Sequence, residues 1–414
     1  MTPTLPGAIA RRNALLGTAA ALAAGTRARA QAPQVLRIGV MNDQSGPYRD
    51  TTGIGSVVCA QEAANEWGSH AGFTIEVLSA DHQNKPDVGA SIVRQWIDRD
   101  GVDVIMDVPT SSVALAVAAI VREKNKVYLN TGAGTADLTG EQCTPNTIHW
   151  SYDTYMLARS TATQLAQRGG DKWYFVTADY VFGQQLERDA AKFVTASGGK
   201  VLGQSRYPFP ATTDYSSFLL GAQAAGANVI GFANAGGDTV NCVKQAHEFG
   251  LNKTMKMAAL LIQPTDVAAM GLDIAQGLYL TGSFYWDLDD RSRAFTKRVV
   301  GRMPGNHPPN MIQAGCYASA IHYCKAVEAI GYGRAKADGA AAVAQMKAMP
   351  VDDAAFGPGT IRPDGRALFP VFLFQVKAPM ESKGVNDVLK LVATTPAAEA
   401  WRPMSEGGCP LVRA

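Results

Sequence analysis

The stretch VDVIMDVPTSSVALAVAAIVREKN, Val102 to Asn125, decides how the chain is read. Its first seven residues form a short apolar run of strand length. After Pro109-Thr110-Ser111-Ser112 the apolar residues return at helical spacing, with Val113, Val117, Ile120 and Val121 on one face. A strand therefore hands over to a helix, and three small hydroxyls stand at the join. Such a join suits a phosphate cradle, a catalytic serine, a grip on another small anion, or simply the cap of the helix by Thr110 or Ser111.

The same alternation extends in both directions. VLRIGVM, FTIEVLSAD and KVYLNT read as strands, and IGSVVCAQEAANEWG and PDVGASIVRQWIDRD as helices. The rhythm restarts after about residue 153 with the strand KWYFVTAD and the helix VFGQQLERDAAKFVTASGG, and runs on through KVLGQ, NVIGFAN and GLYLTGSFYW. Alternation of this kind means right-handed crossovers and parallel sheets covered on both faces. The fold class is thus α/β, with two doubly wound, Rossmann-like lobes. A long helical stretch, MIQAGCYASAIHYCKAVEAIG, and a β-like tail with a Pro-Asp-Gly turn exceed what the second lobe needs. A chain that crosses back to the first lobe and then returns accounts for both. The expected division is 34–152 plus about 283–349 for lobe one, and 153–282 plus about 350–414 for lobe two.

Composition removes several classes of function. The 414 residues are 47% hydrophobic and 18% charged with a formal net charge of +2, and no Lys/Arg run offers a footprint for nucleic acid. Residues 1–30 read as an export signal of twin-arginine type: Arg11-Arg12, a small-residue apolar stretch, and an Ala28-Arg29-Ala30 cleavage pattern near Ala30. A periplasmic location is expected, where disulfides persist. Of the six cysteines, Cys316 and Cys324 lie about 12 Å apart along one helical stretch, and Cys59 and Cys242 sit in apolar helical surroundings as buried free thiols. Cys143 and Cys409, both in turn-rich loops, remain as the candidate disulfide that would pin the tail. No Cys/His spacing suggests a metal, and no cofactor is implied.

Open α/β sheets bind ligands at the carboxyl ends of their strands. Here those ends carry NDQSGPY, SADHQN, VPTSSV, NTGAGTAD, TADYVFG and NAGGDT, rich in hydroxyls, glycines and backbone amides. Nucleotide signatures fail: Gly53-Ile54-Gly55 lacks a third glycine, and TGAGTAD lacks the phosphate-loop lysine. Ser111 and Ser112 stand in no nucleophile elbow. Asp81-His82 offers an acid/base pair, but a turn in which Asp81 and Asn84 bond local backbone explains it more simply. Tyr48 and Tyr180 are placed to close over a ligand.

The order IGVMNDQSGPY, SADHQNKPDVG, VPTSSVALAV, NTGAGTADLTG, HWSYDTY, TADYVFGQQLERD, NAGGDTVNCVKQA and GSFYWDL resembles the exported solute-binding proteins of ATP-driven importers. The branch is that named for leucine/isoleucine/valine binding, with a type I periplasmic binding-protein fold, and the resemblance spans about 34 to 414. It implies two lobes joined by three crossovers, ligand capture by hinge closure, docking on membrane permease subunits, no catalysis, and a monomer. It also implies that Ser111, Ser112, Ala133 and Thr135 hold a ligand carboxylate. Tyr180, Asn234, Gly236 and Asp238 would face them from lobe two, with Tyr285 and Trp286 near the cleft. Amino-acid binders of the family set a second-lobe carboxylate against the ligand ammonium, whereas the matching AALLIQP, Ala258 to Pro264, holds no acid. An unpartnered buried ammonium is costly, so the sequence favours an acid without an amine, aromatic or 2-oxo. Asp238 keeps the amino-acid alternative open.

Overall fold

A computed structural model describes residues 34–412, and the export signal read in residues 1–30 lies outside them. The chain begins with β1 (Gln34–Asn42), α1 (Gly53–Trp67), β2 (Phe73–Asp81), α2 (Pro86–Asp98), β3 (Val104–Asp107), α3 (Ser111–Glu123), β4 (Val127–Asn130) and β5 (Thr147–His149). These strands form one all-parallel sheet in the order β2-β1-β3-β4-β5. Every residue of β3 and β4 is buried, as both faces of a covered parallel sheet require, which explains why these strands read as unbroken apolar runs.

The second lobe repeats the plan with α4 (Thr154–Gln167), β6 (Lys172–Ala178), α5 (Val181–Ala196), β7 (Lys200–Tyr207), α6 (Ser216–Ala224), β8 (Val229–Ala233) and α7 (Gly237–Glu248). It continues through β9 (Lys256–Ala259), α8 (Pro264–Met270), α9 (Leu272–Ala275) and β10 (Tyr279–Gly282). The chain then returns to the first sheet with α10 (Asp290–Val299), α11 (Met311–Ile330), α12 (Tyr332–Ala337) and α13 (Gly339–Ala348). Helix α11 packs on α1 and is buried along most of its length. Asn310 caps it, its Oδ1 accepting from the Ile312 and Gln313 amides at 2.9 and 3.1 Å.

The short hairpin β11 (Thr360–Ile361) and β12 (Ala367–Leu368) turns at Pro363-Asp364-Gly365, and Arg366 bridges to His149 on the edge of the first sheet. Only then do β13 (Val371–Val376) and β14 (Leu389–Thr395) add antiparallel to the second sheet, giving β14-β13-β10-β9-β8-β6-β7, before α14 (Ala397–Ala400).

Three chain passages between the lobes are stitched together. The Ser283 hydroxyl of the second donates to the Ser151 carbonyl of the first at 2.6 Å. From the third, the fully buried Arg366 guanidinium donates to the carbonyls of Trp150 and Tyr152 and stacks 4.1 Å above Trp401. Its burial lowers its pKa to about 9. The Cys143–Cys409 disulfide, with Cα atoms 5.6 Å apart, fastens the tail to the first lobe, while Cys59, Cys242, Cys316 and Cys324 are buried free thiols.

Candidate functional site

The first-lobe wall grows from the ends of β1, β3 and β4. Beyond β1, the buried Asp43 carboxylate organises the loop that carries Tyr48, accepting from the amides of Ser45 (3.2 Å), Gly46 (2.6 Å) and Tyr48 (2.8 Å) and from Asn84 Nδ2 (2.8 Å). The Thr110 hydroxyl donates to Asn84 Oδ1, so it ties the β3 loop to the β2 loop and leaves α3 without a side-chain cap. This corrects the expectation that Thr110 or Ser111 caps the helix: the neighbouring acceptor competes successfully for the hydroxyl. Asp107 and Val108, at the end of β3, both adopt positive φ (76° and 57°), a strained conformation for a β-branched residue. Val108 N donates to Met41 O at 2.9 Å, and Gly132 N to Asp107 O at 3.2 Å, which hold the strained turn under Pro109. Burial pushes the Asp107 carboxyl up to about 6, against the hydrogen bonds from Asn42 Nδ2 and the Thr131 hydroxyl at 3.0 and 3.2 Å.

The second-lobe wall meets it directly. Tyr48 Oη and Tyr180 Oη lie 2.6 Å apart, and the Phe209 ring stacks against both tyrosines, with centroids at 5.5 and 4.3 Å. Gly237 N donates to Pro47 O at 2.9 Å, and a Cβ on Gly236 would stand 2.5 Å from that same oxygen, so only glycine permits this approach. Burial raises both tyrosine hydroxyls above their usual range. The lobes are closed on each other around a small cavity of about 20 Å³. Four rings wall it: Tyr48 and Tyr152 from the first lobe's side, Tyr180 and Phe182 from the second. Besides the tyrosine hydroxyls its polar side chains are Thr51, Gln263 and Asp266, and no lining residue carries a positive charge.

Of the residues singled out in the sequence, Tyr48, Tyr180 and Gly236 line this cavity. Ser111 opens α3 beside the lining Pro109, its hydroxyl buried and unpartnered, and Ser112 is half-buried. The Ala133 amide is engaged by Asn130 Oδ1 at 3.0 Å, and the Thr135 hydroxyl donates to Gln185 of lobe two at 2.8 Å. Asn234 is held inside the second lobe by Thr239 and Cys242. Asp238 faces the outer mouth of the cleft, takes a 2.8 Å hydrogen bond from Tyr207 Oη, and is pushed up to about 6 by burial. Tyr285 Oη and Trp286 Nε1 both donate to Asn386 O in the hairpin between β13 and β14, so that hairpin, and not the inner cavity, receives them. His82 is buried with Nδ1 accepting from Asn84 N at 2.9 Å, its pKa lowered to about 4 by burial; it builds a turn.

The stretch AALLIQP holds no acid, as read, but one stands just beyond it. Asp266, two residues beyond the stretch that reads AALLIQP, lines the cavity. Its Oδ2 accepts the Gln263 amide at 2.8 Å, and burial, with the charge of Asp50 adding to it, raises its pKa to about 7. Pro264 at the first helical position followed by an acid in the first turn is an N-terminal helix signature that would have placed Asp266 at the crevice. Tyr152, Phe182 and Ile312 carry no such local signal.

Residues 35–384 match the family described as Periplasmic binding protein. This chain belongs to that family. It is similar, at 44% identity and TM-score 0.87, to a periplasmic binding protein from Burkholderia mallei, over 92% of this chain and 100% of that one. A branched chain amino acid ABC transporter periplasmic ligand-binding protein from Burkholderia xenovorans LB400 is 37% identical, with TM-score 0.79, over 91% and 99% of the two chains. A solute-binding protein of an ABC transporter from R. palustris, in complex with 4-hydroxybenzoate, shares the fold at 24% identity and TM-score 0.78, over 89% and 98%. The two-lobed type I periplasmic binding-protein fold implied by the order of loops is the fold of this family member, and its role is that of a periplasmic solute-binding protein.

Proposed function

We propose that this periplasmic binding protein captures a small carboxylate with a flat apolar body, an aromatic acid or a 2-oxo acid, and delivers it to the permease subunits of its importer. The observation that carries this reading is the closed cavity, walled by four aromatic rings from both lobes and free of cationic side chains. Rings from both lobes offer a planar ligand apolar partners once the lobes part to admit it. Its carboxylate would meet the unpartnered Ser111 hydroxyl and the first amides of α3, where helix dipole and free N–H groups favour an anion. Lobe one would comprise 34–152 plus about 283–349 and lobe two 153–282 plus about 350–414, the β11–β12 hairpin of the latter still docked on the first sheet, and the exported chain, cut near Ala30, acts as a monomer without catalysis.

A second reading, an amino acid, is favoured by Asp266, whose carboxylate could face an ammonium from the second lobe. Thermal shift and titration calorimetry with benzoate, 4-methyl-2-oxopentanoate and leucine separate the two. A ligand at 100 times its dissociation constant adds about 2.7 kcal/mol to stability, a rise of several degrees in Tm. Stabilisation by benzoate or the 2-oxo acid, with none by leucine, is the expected result; stabilisation by leucine alone overturns it.

A further inference from the structure

The second-lobe wall of the cavity holds polar groups that the protein itself does not satisfy. Gln263 is 3% exposed and lines the cavity, yet its Nε2 has no hydrogen-bond partner among the described residues. A buried amide donor is normally matched, so its partner belongs to whatever fills the space. Three residues on, Asp266 lines the same cavity, and the Gln263 backbone amide is the one donor to its carboxylate among the described residues. Both side chains stand at the start of α8, fixed by Pro264 at the first helical position and by the bond between Gln263 N and Asp266 Oδ2.

An unmatched donor beside an under-used acceptor is complementary to a group that accepts and donates at one atom. An ether or a halogen would serve Gln263 alone; an ammonium would serve Asp266 and leave the amide unmatched. A hydroxyl serves both, accepting from Gln263 Nε2 and donating to Asp266. We infer that Gln263 and Asp266 form a hydroxyl-reading subsite, so that the ligand is a hydroxylated carboxylic acid held at its carboxylate by lobe one and at its hydroxyl by lobe two. The inference rests on the aromatic-acid reading above and narrows it.

Titration calorimetry on the wild-type protein with benzoate, 3-hydroxybenzoate, 4-hydroxybenzoate and 4-methoxybenzoate tests it. One hydroxylated acid binds at least about tenfold tighter than benzoate, and the methoxy analogue, which cannot donate to Asp266, gains nothing. In Gln263→Met, with folding checked by near-ultraviolet circular dichroism, the ratio between that hydroxylated acid and benzoate falls below about threefold, whatever the absolute affinities. Equal binding of benzoate and both hydroxylated acids to the wild type overturns the subsite alone. Binding of none of the four acids overturns the aromatic-acid reading and the subsite with it.

Discussion

Asp43 and Asp266 are buried carboxylates on opposite walls of one cleft, and they are treated in opposite ways. Around Asp43 the loop from 43 to 52 closes on itself: three backbone amides and the Asn84 side chain all donate to one carboxylate. Around Asp266 a single backbone amide donates, and the neighbouring Gln263 amide goes unmatched. The first arrangement spends its hydrogen bonds on holding Tyr48 in place; the second keeps them for something that enters. A carboxylate saturated by its own loop is architecture, and one left under-donated beside a cavity is recognition.

Substitution of each carboxylate sharpens that contrast. Asp43→Ala leaves Ser45 N, Gly46 N, Tyr48 N and Asn84 Nδ2 without an acceptor, and destabilisation of about 4 kcal/mol in urea is expected; wild-type stability would end the architectural reading. Asp266→Asn should act in the other direction and depend on pH. With its folded pKa raised from 3.8 to about 7, Asp266 is most favourable to the fold below pH 4, and that contribution is lost as pH rises to about 7. The Asn variant is therefore expected to match the wild type near pH 4 and to exceed it by about 2 kcal/mol at pH 8, where the full shift would give roughly 4. A difference independent of pH would mean that Asp266 does not titrate across this range. The smallest effect belongs to the contact between the walls: Tyr180→Phe removes the 2.6 Å bond to Tyr48, with about 1 kcal/mol lost from closure and a several-fold faster ligand release in stopped-flow measurements.

The lobes were legible because their central strands are buried on both faces and bounded by helices, which leaves a continuous apolar run such as VDVIMDV. Three of the cavity residues were legible too. Tyr48, Tyr180 and Gly236 sit at carboxyl ends of strands, where open sheets gather ligands. Tyr285 and Trp286 follow a strand end as well, but the hairpin between β13 and β14, a hundred residues later in the chain, offers them the Asn386 carbonyl. Thr110 looked like a cap because local pattern cannot reveal that Asn84 lies within reach.

By itself the sequence determined the α/β alternation, the two-lobed plan, the loops that face the cleft, and the two loop cysteines that are joined in the fold. These follow from periodicity and from residue types that prefer turns, both local properties of the chain. The tertiary structure decided which side chains meet: that Tyr48 and Tyr180 share a hydrogen bond across 132 residues, that Ile312 from α11 closes the cavity, and that Asp266 faces into it. Such meetings depend on how two separately built sheets close on each other, and that closure is set by contacts between segments remote in sequence.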